Sequence, residues 1–218
     1  MKKSLVAAGV IIALGVVWTG GAWYTGKQLE SRIADMVQQA NAQLQSSAPQ
    51  AGVELTYQDY QRGLFSSRLQ LVLKPIAGKA PRWLAAGQSL VFDEVVDHGP
   101  FPLASLKSFN LAPAMASVKT TLVNNEASKS LFDIAKGETP FTIDTRIAYS
   151  GDNQSAIVLK PLDYAKDDEK VTFSGGQFQL NADREGKTLS LSGEAGSGQI
   201  NAVNEYNQKV QLLSLIHI

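Results

Sequence analysis

The sequence predicts a mainly β protein: an antiparallel, meandering, curved sheet preceded by an N-terminal transmembrane helix and a helical neck, with one short internal helix. Three observations carry this. Residues 5–24 contain no charged side chain. Residues 27–46 repeat apolar side chains at steps of three and four, the period of a half-buried helix. From Val53 onward the period drops to two, as in strands with one face toward a core and the other toward water.

Taken in order, "MKKSLVAAGVIIALGVVWTGGAWYTGK" opens with Lys2 and Lys3 and then becomes apolar. Twenty helical residues at ~1.5 Å each span the ~30 Å hydrocarbon layer. Trp18, Trp23 and Tyr24 fall at its far end, where amphipathic aromatics prefer the interface. The competing reading, a cleaved secretory signal, calls for a shorter apolar core and an A-x-A-like site, which Thr19 to Gly21 matches poorly. Residues 1–26 are therefore expected to form a cytoplasmic tip and transmembrane signal anchor. Lys27 and Arg32 nearly balance the amino-terminal charge, so orientation rests on the short basic head, which favours a cytoplasmic N-terminus. Gly9 with Ala13, and Gly15 with Thr19, have a spacing that can pack two spans together, and oligomeric state stays open.

Residues 27–48 read as the amphipathic neck, with Leu29, Ile33, Met36, Val37, Ala40 and Leu44 on one face and Pro49 and Gly52 as its stop. A partner-binding helix is the other reading of this segment. Residues 49–212 form the β-rich domain. Its strand candidates are "VELTYQDY", "FSSRLQLVLK", "QSLVFDEVV", "SVKTTLV", "FTIDTRIAYSGD", "SAIVLKPL", "KVTFSGGQFQLNAD", "KTLSLSG" and "NEYNQKVQL". "EASKSLFDIAKG" is the internal helix, stopped by Gly137. Gly175-Gly176 suggests a bulge or bend within one strand, and "DYAKDDEK" a solvated loop. The absence of βα alternation argues against a nucleotide-binding α/β fold. The final "LSLIHI" translates CTG TCT CTT ATA CAC ATC, which resembles the end of a transposase-based sequencing adapter. Residues 213–218 are therefore expected to be a non-native tail, and the preceding domain to be incomplete.

The chemistry sought is mostly missing. Twenty basic residues balance twenty acidic ones, so there is no surplus of cations for phosphate neutralisation, and no nucleic-acid partner is expected. The chain has no cysteine, which removes disulfides and thiolate metal sites. No P-loop, G-x-G-x-x-G, G-x-S-x-G or H-E-x-x-H occurs. "NADREGKTLSLS" begins like a calcium loop but has Ser192 where the bidentate glutamate belongs, so a hairpin turn is the better reading. His98 beside Asp97 is the one candidate for acid–base work. Adjacent residues rarely aim a carboxylate at their own imidazole. In "VVDHGPFPLASL", Gly99 can take backbone angles closed to other residues, Pro100 and Pro102 hold the segment extended, and Phe101 and Leu103 can anchor it. A rigid connector is the expectation, with no catalytic, cofactor-binding or metal residue and no cofactor.

The anchor, then "YQRGLFSS", "DHGPFPLASL" and "NAVNEYNQKVQL", together resemble the N-terminal part of the YdgA-like family of bacterial inner-membrane proteins of unknown function. The matching signature is Tyr60, Gly63, Phe65, His98, Gly99, Pro100, Phe101 and Pro102. The resemblance implies a single-pass protein of the bacterial inner membrane with a large β-rich periplasmic region, and supplies no catalytic residue. Two functions fit: a non-enzymatic envelope scaffold or interaction module, or a lipid-binding or lipid-transfer protein using an apolar sheet groove. The expected partners are the membrane and either a lipid or an envelope protein.

Overall fold

In the computed structural model, the described residues are 26–27, 29–31, 33–46, 48–99, 113–166, 169–184, 188–203 and 209–214. The expected span, the small-residue pairs within it, Pro100, Phe101 and Pro102 lie outside them. Among the described residues, helical positions run from Gly26 to Ser46 and form the neck, α1. Ile33 is buried, Leu29, Val37, Asn41 and Leu44 are half-buried, and Lys27, Glu30 and Asp35 are exposed. The predicted period marks the packing face at Leu29, Ile33, Val37 and Leu44, but Met36, 51% exposed, and Ala40 turn to solvent, so the stripe that packs is narrower than expected. A 3-10 turn at Pro49–Ala51 ends the neck, followed by Gly52 in the left-handed region at φ 65°. An added Cβ at Gly52 would collide with the carbonyl oxygen of Lys79. Gly52→Ala is therefore expected to lower stability by about 1–3 kcal/mol from strain and collision together, read by chemical denaturation.

Twelve strands follow among the described residues: β1 (Val53–Arg62), β2 (Ser66–Pro75), β3 (Leu90–His98), β4 (Ala116–Leu122), β5 (Phe141–Ile147), β6 (Asn153–Leu159), β7 (Leu162–Lys166), β8 (Glu169–Phe173), β9 (Gly176–Ala182), β10 (Leu189–Ala195), β11 (Gly198–Val203) and β12 (Lys209–Ser214). They make two sheets, not one. The larger has eight strands in the order β1-β2-β3-β4-β5-β6-β9-β10, the smaller four in the order β12-β11-β8-β7. Every pairing is antiparallel.

The two-sheet division corrects several expectations. "KVTFSGGQFQLNAD" is not one bent strand. Its Gly175 is where the chain leaves β8 in the small sheet for β9 in the large one. "DYAKDDEK" is largely hairpin, because Leu162–Lys166 pairs with Glu169–Phe173. The strand expected in "NEYNQKVQL" begins at Lys209, and Gly198–Val203 adds a strand not anticipated. β12 takes in residues 213 and 214, set opposite Gln199 and Gly198. The internal helix, α2, is only Lys129–Ile134, with Phe132 buried and Leu131 43% exposed.

Register explains where the core sits. Side chains directly opposite across a pair share a face. Ser67, Leu69 and Leu71 stand opposite Val96, Glu94 and Phe92, and those three stand opposite Val118, Thr120 and Leu122. α1 lies on this face: Ile33 is buried with Leu69, Val96 and Ala116, and Leu29, Tyr60, Leu71, Val118 and Ile147 pack around them. Polar ties also run between α1 and β1. The Asn41 side chain donates to the carbonyl of Leu55 and accepts from its N–H, both at 2.7 Å, which satisfies backbone groups on an edge strand. Arg62 pairs with Glu30 at 2.7 Å.

Candidate functional site

β3 ends on His98, and the residues converging there are polar and buried. His98 is 2% exposed and Ser67 1%. Register places His98 opposite Ala116 and Ser67 opposite Val96, so both side chains point to the face that α1 covers. Ser67 Oγ lies 3.2 Å from His98 Nε2 and 3.4 Å from the Tyr60 hydroxyl, where either oxygen can donate. The Tyr60 hydroxyl in turn donates to the carbonyl of Gly26 at 3.5 Å. A chain of contacts therefore runs from the first described residue of the neck, through β1 and β2, to the end of β3. Gly26 also presses on the imidazole: a Cβ there would stand 2.7 Å from Cε1 and 2.9 Å from Nε2.

The rest of the expected signature frames this latch. Gly63 closes the β1–β2 turn by donating its N–H to the Ser66 carbonyl at 2.8 Å, and the same oxygen would crowd a Cβ at that position. The Phe65 carbonyl accepts from the His98 N–H at 2.9 Å. Gly99 is buried with φ 116°, as the rigid-connector reading requires. The structure thus brings Tyr60, Gly63, Phe65, His98 and Gly99 to one end of the sheet. Gly26 and Ser67 are the members sequence reasoning missed. Ser67 sits at an inward position between Phe65 and Leu69, a polar residue in an apolar row, and that was the available signal.

An oxygen within hydrogen-bond reach of an imidazole is the geometry of a nucleophile and its base. Two features set this pair apart from such a site. Strand alternation turns Asp97 to the opposite face of the sheet from His98. Both side chains are also buried, with Gly26 against the His98 ring. Ser67→Ala would take one hydrogen-bond partner each from the half-buried Tyr60 hydroxyl and the buried His98 ring, an expected loss of about 1–3 kcal/mol in denaturant unfolding.

Four residues back along β3, Glu94 is a second buried polar group, 6% exposed. The Thr120 hydroxyl donates to its Oε2 at 2.7 Å. Burial raises its pKa from 4.5 to about 7, against the lowering effect of the Thr120 hydrogen bond and with a smaller push from Asp93. Among the described residues no group of His, Cys, Asp and Glu side chains is arranged to hold a metal ion.

A family model described as "Bacterial protein of unknown function (DUF945)" matches residues 1–215. The chain is 69% identical over 212 residues to Protein YdgA of Escherichia coli strain K12, covering 97% of this chain and 42% of that protein. It is 36% identical over 190 residues to the uncharacterized protein YihF of the same organism, covering 87% and 38%. It is 30% identical over 185 residues to an uncharacterized protein of Haemophilus influenzae, covering 84% and 49%. The chain thus spans less than half the length of these relatives. No solved structure matches it.

Proposed function

This chain belongs to the DUF945 family of bacterial proteins of unknown function, and on that premise we propose that it is a non-enzymatic envelope module, held at the inner membrane by its N-terminal segment with the β domain in the periplasm. The observation that carries the reading is the latch. Its polar side chains are used to fix the neck to the sheet, so a domain hung from a single span would have a set orientation at the point where the chain leaves the membrane. The sheet beyond the neck then serves as an interaction surface. Fusing a reporter that is active only outside the cytoplasm after Gly52 tests the placement. Activity agrees with it, and an inactive fusion that is nevertheless expressed refutes it.

A second reading has an observation of its own. The face that α1 covers near β1–β4 continues across β6, β9 and β10, where Ile157, Phe178 and Leu191 share it. There Leu189 is 62% exposed and Leu191 50%. An exposed apolar strip of this kind suits acyl chains, and lipid binding or transfer would use it. The discriminating experiment is mass spectrometry of lipids retained by the full-length protein in mild detergent, beside an unrelated single-span control. Stoichiometric lipid found only with this protein replaces the scaffold reading by the lipid reading. Lipid at control level leaves the interaction module.

A further inference from the structure

The loop between β2 and β3, residues 76–89, is "IAGKAPRWLAAGQS". It is ordered by its own backbone: Lys79 donates to Ile76, Leu84 to Pro81 and Gln88 to Ala85 at 2.9, 3.2 and 3.0 Å, and Ile76 donates to Gly52 at 2.8 Å. Leu84 is 1% exposed and pins the loop from inside. Its neighbour Trp83 is turned outward, 59% exposed. Lys79, Arg82 and the alanines at 77, 80, 85 and 86 are exposed around it. From Pro75 to Phe92 there is no acidic residue, and among the described residues neither Lys79 nor Arg82 enters an ion pair. An exposed indole among small apolar residues, ringed by unneutralised cations, has the chemistry of a site that enters a charged lipid interface. A soluble polyanion would need the cations but not the indole.

The position of the loop adds a second point. Tyr60 and Arg62 of β1 meet Gly26 and Glu30, at the start of α1, whereas Leu55 meets Asn41. Neck and strand therefore run side by side in opposite directions. The loop lies beyond Val53, roughly 30 Å of strand away from the end where the neck begins. We propose that loop 76–89 is a docking tip for an anionic lipid surface, with Trp83 entering the headgroup region and Lys79 and Arg82 holding it by charge. This goes beyond the anchored-module reading and stands or falls separately, because contact of the tip with added lipid does not require the neck or the anchor to act as proposed.

The chain has three tryptophans, so Trp18→Phe with Trp23→Phe leaves Trp83 as the only fluorophore of its kind. That full-length variant, reconstituted in phosphatidylcholine nanodiscs, is titrated with vesicles of equal parts phosphatidylglycerol and phosphatidylcholine, and separately with phosphatidylcholine vesicles. The expected result is a blue shift of Trp83 emission with the anionic vesicles only, weakened by added salt. Lys79→Gln with Arg82→Gln should weaken binding by roughly thirtyfold, at about 1 kcal/mol per cation. Circular dichroism confirms that these variants keep their sheet. No shift with either vesicle overturns the proposal. An equal shift with both also overturns it, because charge then contributes nothing, and so does binding without a blue shift, which leaves the indole outside the lipid.

Discussion

Glu94→Gln is expected to make the folded domain more stable at pH 8 than the unaltered protein by about 3 kcal/mol. The carboxyl group has a pKa of about 7 when folded, against an ordinary value of 4.5, with burial as the main cause. Below pH 4.5 it is protonated whether the chain is folded or not, and costs nothing. As pH rises from 4.5 toward 7 the unfolded chain releases the proton and the folded one keeps it, so stability falls with pH across that window. Above about pH 7 both states are ionised, the full penalty is in place and the curve is level with respect to this group. A shift of that size corresponds to about 3 kcal/mol. Glutamine keeps an oxygen for the Thr120 hydroxyl and cannot ionise. Chemical unfolding between pH 4 and 8 checks this: a slope in that window that persists unchanged in Glu94→Gln would assign the titration to another group.

Gly26→Ala should reverse the usual sign of its class. Glycine to alanine at an unobstructed helical position stabilises by up to about 1 kcal/mol. Here the new methyl group would stand 2.7 Å from an imidazole carbon, and His98, 2% exposed, has no open space to retreat into. Overpacking of a closed site costs about 1–3 kcal/mol, so destabilisation should win. The double variant Gly26→Ala with His98→Ala removes the collision. A double-mutant cycle should show that the two changes together cost less than their sum. Additive effects would mean that the neck does not rest on the ring.

Much of this architecture was legible because strand and helix periods differ. Leu29, Ile33 and Val37 marked the packing face of the neck, and Leu69 and Leu71 that of the sheet. The sheet switch at Gly175 was not legible, since a glycine at a crossing between sheets leaves the same local pattern as one at a bulge. Gly198–Val203 was missed because "GQINAV" alternates too weakly to stand out from a loop. The latch could not be read at all as an assembly. Gly26, Tyr60, Ser67 and His98 meet only through register and helix docking, and neither is encoded in local spacing. Glu94 did leave a trace, as a charge at the same strand parity as Phe92 and Val96, the place where a buried carboxylate costs most. His98 stood out in the sequence beside Asp97, but the hydroxyl that meets its ring, Ser67, lies on another strand.

Tyr60, Ser67 and His98 tie the neck to the sheet. Hydrogen exchange of the full-length protein in nanodiscs, with and without His98→Ala, tests this tie most directly. Opening free energies report local stability. Amides of residues 33–46 are expected to lose protection in the variant while those of β5, β6 and β9 keep theirs. Unchanged protection of the neck, or equal loss in all of these elements, would contradict it.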